Sequence, residues 1–415
     1  LGNCRTFVSF DVVYRYFQYL GYKVRYVRNI TDVGHLEGDA DIGREDKISK
    51  KARLEELEPM EIVQRYMNGF HDMMKVFNVL PPNIEPRATG HILEQIDMVQ
   101  AILDNGLAYE VNGSVYFDTI KFEEKYGVYG QLSGRKIEEL FSETRDDLKN
   151  QSEKRHPSDF AIWIKADPNH LMRWKSPWSV GFPGWHLECS VMSTKYLGET
   201  FDIHGGGNDL KFPHHENEIA QSCCASGDVN EPQSFSKYWI HNGFVTVEGE
   251  KMSKSIGNVI LVKDLINQYD GEVIRLALLS SHYRQSFDWN AKIIHQAQVL
   301  LDKLYKVLLD LSDEIVEIKI NEELLSLLND DLNTPGAITF LNKKLKEYLA
   351  GVIHKKDFKQ ILLFTSKVLG ILNSNPEDWF RAKANNLDED KINDLIKKRK
   401  IAKVNKDFKT ADAIR

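Results

Sequence analysis

The chain has 415 residues, 42% hydrophobic and 28% charged, with a formal net charge of −7. That length exceeds one hydrophobic core and predicts roughly two to four domains. The balance excludes a disordered or fibrous protein, and no run approaches the roughly 20 apolar residues of a membrane helix. Four cysteines in so long a chain exclude a disulfide framework, and no signal-peptide pattern opens it. Both features predict reducing cytoplasm.

Phe7, Phe10, Val13, Tyr14, Phe17 and Leu20 fall near helical spacing and predict a helix over 4–19, ended by Gly21. The alternating, β-branched run Lys23–Ile30 predicts a strand. Helix then strand is half of a βαβ unit, whose first strand is expected ahead of Leu1. Leu1 opens inside a turn and Arg415 follows no cap signal, so the chain is expected to be part of a longer one. Residues 33–45 read as loop, and 55–78 and 91–105 as helices. From Tyr109 to Ser133 the sequence is rich in Tyr, Val and Gly, which predicts a small β-rich insertion running to about Trp178. Strand-like segments return at Thr200–Ile203 and Trp239–Val247. After Val259 the pattern is helical, with Leu300, Leu301, Leu304, Val307, Leu308 and Leu311 on one stripe. The outline is a nucleotide-binding α/β domain split by an insertion, then a helical tail. From Lys391 on, Lys397, Lys398, Arg399, Lys400, Lys403, Lys406 and Lys409 make a basic segment. It suits either a phosphate backbone or a solvated helix face.

Four motifs carry chemistry. Lys251-Met252-Ser253-Lys254-Ser255, then Gly257-Asn258, follows a strand and a turn at Gly249. Two lysines three apart on a polar loop reach two phosphate oxygens and neutralise charge developing on departing pyrophosphate. The chain opens Leu1-Gly2-Asn3. Alone, these three residues suit an ordinary turn into a helix; as part of a nucleotide site, Gly2 would let a base and ribose approach the backbone and Asn3, on the helix N-terminus, would face phosphates. In Asp202-Ile203-His204-Gly205-Gly206-Gly207-Asn208-Asp209 a strand runs into three glycines, which permit close backbone approach to a ligand. Asp209 is placed to hold ribose hydroxyls. Pro213-His214-His215-Glu216-Asn217-Glu218 reads as a helix start with Pro in its first turn. His214 and Glu218, four apart, share a helix face, and Gly184-Trp185-His186-Leu187-Glu188-Cys189 adds a thiolate. Cys189, His214 and Glu218 suit zinc with room for a further ligand; without context, His and Glu at this spacing also make ordinary surface hydrogen bonds.

GWHLECS, FDIHGGGNDLKFPHHENEIAQS and KMSKSIGN together resemble the cysteinyl-tRNA synthetases, a class I aminoacyl-tRNA synthetase family. VRYVRNITDV, EPRATGHI and KKRKIAKVNKDFKTADAIR extend the resemblance over essentially the whole chain. It implies a Rossmann-type α/β class I catalytic domain split by an insertion, then an α-helical bundle and a helical C-terminal region. The expected segments are catalytic 1–105, insertion 106–178, catalytic 179–250, KMSKS loop and stem-contact region 251–299, bundle 300–375, and the start of an anticodon-binding region 376–415. Leu1-Gly2-Asn3 matches the end of the family's second ATP motif. The family's zinc ligands carry over to Cys189, His214 and Glu218. A fourth, a cysteine on the first strand, is absent from this sequence, and Cys4, Cys223 and Cys224 match no ligand position.

The implied reaction is attack of cysteine's carboxylate on the α-phosphorus of ATP, then transfer from the adenylate to the 3′ end of tRNA(Cys). Lys254 is implied as the principal phosphate contact, supported by Lys251; Trp185 and His204 as walls of the cysteine pocket; Mg²⁺ as the companion of ATP. Zinc selects the substrate thiolate over serine's alcohol, so no editing domain is needed, and the insertion is too small for one. A monomer is expected. Trp379 is either a base-stacking residue or a core aromatic. Two other readings stay open: a ligase of the mycothiol type that joins cysteine to an amino sugar, and an inactive paralogue that only binds tRNA or zinc.

Overall fold

The computed structural model describes residues 1–34, 46–135, 153–226, 234–252, 257–384, 389–405 and 407–414. The opening helix α1 (Gly2–Tyr19) buries Val8, Val12 and Tyr16 in a core shared with the helical half of the molecule. Its N-terminal turn stays accessible, with Asn3 exposed. The predicted strand over 23–30 is extended but forms only isolated parallel bridges, Val27 to Ile84 and Ile30 to Arg87. Side chains interrupt the ladder: Asn83 accepts from the Tyr26 amide at 2.7 Å, and the Asn83 and Ile84 amides both donate to the Tyr26 carbonyl. Of the predicted loop 33–45, residues 35–45 lie outside the described residues.

The predicted helix over 55–78 is α3 (Pro59–Val76), and ahead of it lies a helix the sequence reading did not anticipate, α2 (Lys47–Glu55). Glu56 at φ 56° closes α2, and Pro59, fit for a first helical turn, opens α3. After α4 (Ile92–Asp104) come β1 (Ala108–Val111), β2 (Ser114–Phe117) and α5 (Thr119–Tyr126). With β3 (Phe160–Lys165), β4 (Trp174–Lys175) and β5 (Val180–Pro183), β1 and β2 form an antiparallel sheet ordered β1-β2-β3-β5-β4. Its last strand passes through Gly184 straight into α6 (Trp185–Leu197). A Cβ at Gly184 would stand 2.1 Å from the Ala161 carbonyl oxygen, so only glycine fits this junction.

The parallel pair begins with β6 (Phe201–Gly207), which runs alongside β7 (Ser236–Asn242) from Phe201↔Ser236 to Gly207↔Asn242. Helix α7 (Glu216–Ser226) packs against α6. Strand β8 (Val245–Val247) turns into β9 (Glu250–Lys251) through Glu248 and Gly249 at φ 51° and 84°. Two adjacent positive φ values mark a tight hairpin turn.

Helices α8 (Val262–Leu265) and α9 (Gly271–Leu279) follow, then β10 (Phe287–Trp289), parallel to β8. Beyond them α10 (Ala291–Asp310), α11 (Glu322–Asn329), α12 (Thr334–Leu349) and α13 (Lys355–Leu369) form a bundle on the core of α1 and α9. Buried Arg275 of α9 holds the halves together. It donates to Asp11 on α1, to the Phe77 and Asn78 carbonyls after α3, and to the Leu369 carbonyl at the end of α13. Gly271 at the start of α9 sits where a Cβ would come 2.2 Å from the Val76 carbonyl oxygen. Gly271→Ala is therefore expected to cost about 1–3 kcal/mol, read as a lowered urea midpoint.

Trp379, in α14 (Pro376–Ala384), is 4% exposed, stacks on Tyr305 at 4.2 Å and donates to Asp302. It is a core aromatic. In α15 (Glu389–Val404), Lys397, Lys398, Lys400 and Lys403 are exposed and Lys398 pairs with Asp394; α16 (Phe408–Ala413) packs on it. Among the described residues, no helix is long and apolar enough to cross a membrane.

Candidate functional site

Three of the four motifs meet around α1 and the ends of β6 and β7. The Leu1 amino group donates to the Ile260 carbonyl at 3.3 Å, and a Cβ at Gly2 would stand 3.7 Å from Met252 Cε. The N-terminus of α1 thus lies against the residue that follows β9. A residue the motifs do not point to fixes this contact. Arg5, 1% exposed, donates to the Gly243 and Phe244 carbonyls just before β8 and to the His282 carbonyl. Lys251 ends β9, paired with Thr246; Lys254 lies outside the described residues.

The three glycines end β6. A Cβ at Gly205 would meet the Ile240 carbonyl oxygen at 2.2 Å and the Phe10 ring at 2.5 Å, so α1 and β7 press on this strand where a side chain would hold them apart. Asn208 and Asp209 follow, exposed, in a single 3-10 turn. The helix start differs from the expectation. Pro213 belongs to a separate wide turn over Lys211–His215, after a cis Phe212–Pro213 bond, and α7 begins at Glu216. Phe212, at φ −140° and ψ 136°, cannot continue a helix. His214 and Glu218 nevertheless converge, His214 Nε2 lying 2.6 Å from Glu218 Oε1.

Cys189 of α6 completes the cluster: ligand atoms of Cys189, His214 and Glu218 all lie within 4.8 Å of one another. His204, His215 and Glu218 form a second such group. His204 Nε2 is 2.7 Å from Glu218 Oε2. Both Glu218 oxygens are buried, each against an imidazole nitrogen, Oε1 against His214 and Oε2 against His204. Burial disfavours the Glu218 carboxylate, but His204 and His214 outweigh it and hold the group well below the usual carboxylate range. Burial, with Glu218 and Glu188 adding to it, raises the Cys189 thiol well above its usual range. A buried carboxylate between two imidazoles, beside a thiol that needs positive charge to ionise, offers the N, O and S donors that fit a soft divalent cation such as zinc.

Around the triad stand histidines that the motif reading did not single out. His186 Nδ1 is 2.8 Å from His214 Nδ1, and His215 Nδ1 is 2.8 Å from His241 Nε2. Burial pushes His186 and His215 well below the usual imidazole range and His241 to about 4. Neutral rings suit metal ligands and their supports. A nitrogen occupied by a neighbouring ring fixes which nitrogen of His214 faces Glu218. His186 and His215 sit beside motif residues in the sequence, which was the available signal; His241 gave none. Trp185, 39% exposed, covers His214 at 4.3 Å, and His204 lies 5.0 Å from Trp239. Asn29 Nδ2 is 3.5 Å from Cys189 Sγ.

Residues 1–299 match the family model for the catalytic domain of class I (C) tRNA synthetases. The chain is 47% identical to the cysteine–tRNA ligase of Bacteroides thetaiotaomicron, over all of this chain and 87% of that protein. It is 46% identical to the cysteine–tRNA ligase of Chlorobaculum tepidum with the same coverage. Among solved structures, the methionyl-tRNA synthetase of Mycobacterium tuberculosis in complex with methionyl-adenylate has the same fold. It matches at a TM-score of 0.54 and 13% identity, over 89% of this chain and 86% of that one.

Proposed function

The chain belongs to the cysteine–tRNA ligase family of class I aminoacyl-tRNA synthetases, and from that premise we propose that Cys189, His214 and Glu218 hold a zinc ion that selects cysteine for activation by ATP and transfer to tRNA(Cys). The observation that carries this reading is the convergence of those three side chains beside the glycine-rich end of β6. When bound, zinc supplies an affinity for thiolate that serine's neutral alcohol lacks.

The chain's own groups do the rest. Trp185 and His204 flank the triad and close the pocket around a small side chain. Asp209, exposed at the end of β6, holds ribose hydroxyls. Gly2 and Asn3 present the N-terminus of α1 to phosphate, where helix amide groups favour an anion. Lys251 and Lys254, with Mg²⁺ on the ATP, neutralise the departing pyrophosphate. Adenylation needs no covalent protein nucleophile; alignment of carboxylate and α-phosphorus lowers the barrier. The 106–178 insertion lies toward the acceptor end of the tRNA, and the bundle and basic tail toward its stem and anticodon. A cytoplasmic monomer is the proposed form, and four free thiols suit a reducing setting.

Cysteine-dependent ATP–pyrophosphate exchange tests the reading. Exchange with cysteine, at least ~10³-fold weaker exchange with serine, and loss with a zinc chelator are expected. Zinc-loaded protein that shows no exchange would leave an inactive tRNA-binding paralogue as the better account.

A further inference from the structure

Two of the proposed zinc donors stand on separate helices. Cys189 lies on α6, which enters from the sheet of the insertion, and Glu218 lies on α7, which follows β6 and the wide turn over 211–215. A metal site tolerates roughly ±0.2 Å in its ligand distances. A slip of one residue along a helix moves a side chain by about 1.5 Å and turns it by about 100°. The seam between α6 and α7 therefore has to hold one register.

Most of that seam is apolar. Leu187 and Val191 of α6 and Ile219, Ala220 and Cys223 of α7 belong to one core. Apolar burial is non-directional and selects a register only weakly. One polar bridge crosses it. Gln221 Nε2 donates to Ser190 Oγ at 2.7 Å, and Ser190 Oγ donates to the Glu218 carbonyl at 3.3 Å. Both side chains are fully buried. Ser190 directly follows Cys189 in the chain, and Gln221 lies three residues beyond Glu218, on the same face of α7. The bridge thus ties the main chain of one donor to the neighbour of the other. It is not there for stability alone, because Gln221 Oε1 is buried with no partner among the described residues. An apolar side chain of similar size would leave nothing unpaired. A buried polar pair of this kind specifies register, as a single buried asparagine does between two coiled-coil helices.

We propose that Gln221 and Ser190 are positioning residues for the metal, and that their bond across the seam sets the separation of Cys189 from Glu218 at a value that admits zinc. The inference rests on the zinc reading above and adds to it what fixes the size of the site.

The test measures zinc affinity of the zinc-stripped, folded protein by competition with a chelating indicator, together with the visible spectrum of the cobalt-substituted protein. The variants are S190A, Q221M, S190A/Q221M, S190T and S222A. The double variant, with a wholly apolar seam, is expected to unfold in urea no earlier than wild type. It nevertheless binds zinc about 10–100-fold more weakly, and its thiolate-to-cobalt band shifts. Each single variant loses about as much affinity as the double, since the two groups act as one bond. S190T keeps the hydroxyl and recovers most of the affinity. S222A removes a buried hydroxyl of α7 that has no partner among the described residues, and leaves zinc affinity within about twofold of wild type. A packing role alone would lower the urea midpoint and leave the zinc affinity of the folded protein unchanged. Zinc affinity of S190A/Q221M within about twofold of wild type, or an equal loss in S222A, would overturn the proposal. Wild type that takes up no zinc would sink the zinc reading and this inference with it; tight binding by both wild type and the double variant would sink this inference alone.

Discussion

Cys189→Ser is expected to strip the protein of zinc and to lower cysteine-dependent ATP–pyrophosphate exchange by about 10³-fold or more. That is most of the 10⁴–10⁵ that an obligatory polar contact contributes to selectivity. The serine hydroxyl is nearly isosteric with the thiol but does not ionise, so a charged ligand is lost without a change in packing. Cys189 stands on α6, while His214 and Glu218 lie on the turn before α7 and on α7 itself. The remaining pair would hold the ion far more weakly. Three readouts separate the cause from simple unfolding: metal content, the cysteine-to-serine exchange ratio, and the zinc-dependent rise in melting temperature, which C189S should lack. Glu218→Gln should behave alike, because its fully buried carboxylate sits between two imidazoles. Full, zinc-independent exchange by C189S would refute the metal's part in selection.

The largest loss of stability is expected at Asp11→Asn. The Asp11 side chain is fully buried and carries three partners: Arg275 at 2.5 Å, Arg15 at 2.6 Å and the Leu80 amide at 2.7 Å. All three donate. An asparagine in the same place must turn its own donor toward one of them, and its neutral oxygen leaves the Arg275 guanidinium uncompensated where no water reaches it. Breaking one partner of such a buried pair costs roughly 3–5 kcal/mol. Because Arg275 also spans α9, the segment after α3 and the end of α13, the loss should fall on the joint between the nucleotide-binding half and the bundle. Urea unfolding of D11N should shift its midpoint down, with zinc content unchanged below the transition. A midpoint within error of wild type would show that the joint does not depend on this ion pair.

Much of the site was legible because its chemistry is written in short, contiguous motifs. Cys189, His214 and Glu218 were readable as donors, and the expected pairing of His214 with Glu218 forms although His214 lies on the turn before α7 rather than on it. Other features were illegible for physical reasons. The run 23–30 has strand composition, yet Asn83 takes one of its amides and turns the ladder into single bridges. Proline looked like a helix start at Pro213, but the cis bond before it makes a separate turn. Arg5 and Arg275 act by donating to main-chain carbonyls far away in sequence, and such acceptors carry no residue code. The same holds for Glu216, whose partners are the amides of Gly130 and Ser133. It stood unnoticed between His214 and Glu218 because its contacts depend on where the insertion folds back.

The passage of β5 through Gly184 into α6 bears on how this chemistry could be moved between proteins. Domain insertions are usually portable because both ends leave the host through flexible, exposed linkers. Here one end does not: the strand closing the insertion's sheet becomes, one glycine later, the helix that presents Cys189. Trimming the insertion to a short connector, or grafting it whole into a related scaffold, would re-aim that helix and carry the thiolate with it. If Cys189 selects the thiol as proposed, that selection and the inserted sheet are a single heritable unit, and a chimera that retains cysteine specificity must take its crossover before β1 or after α7.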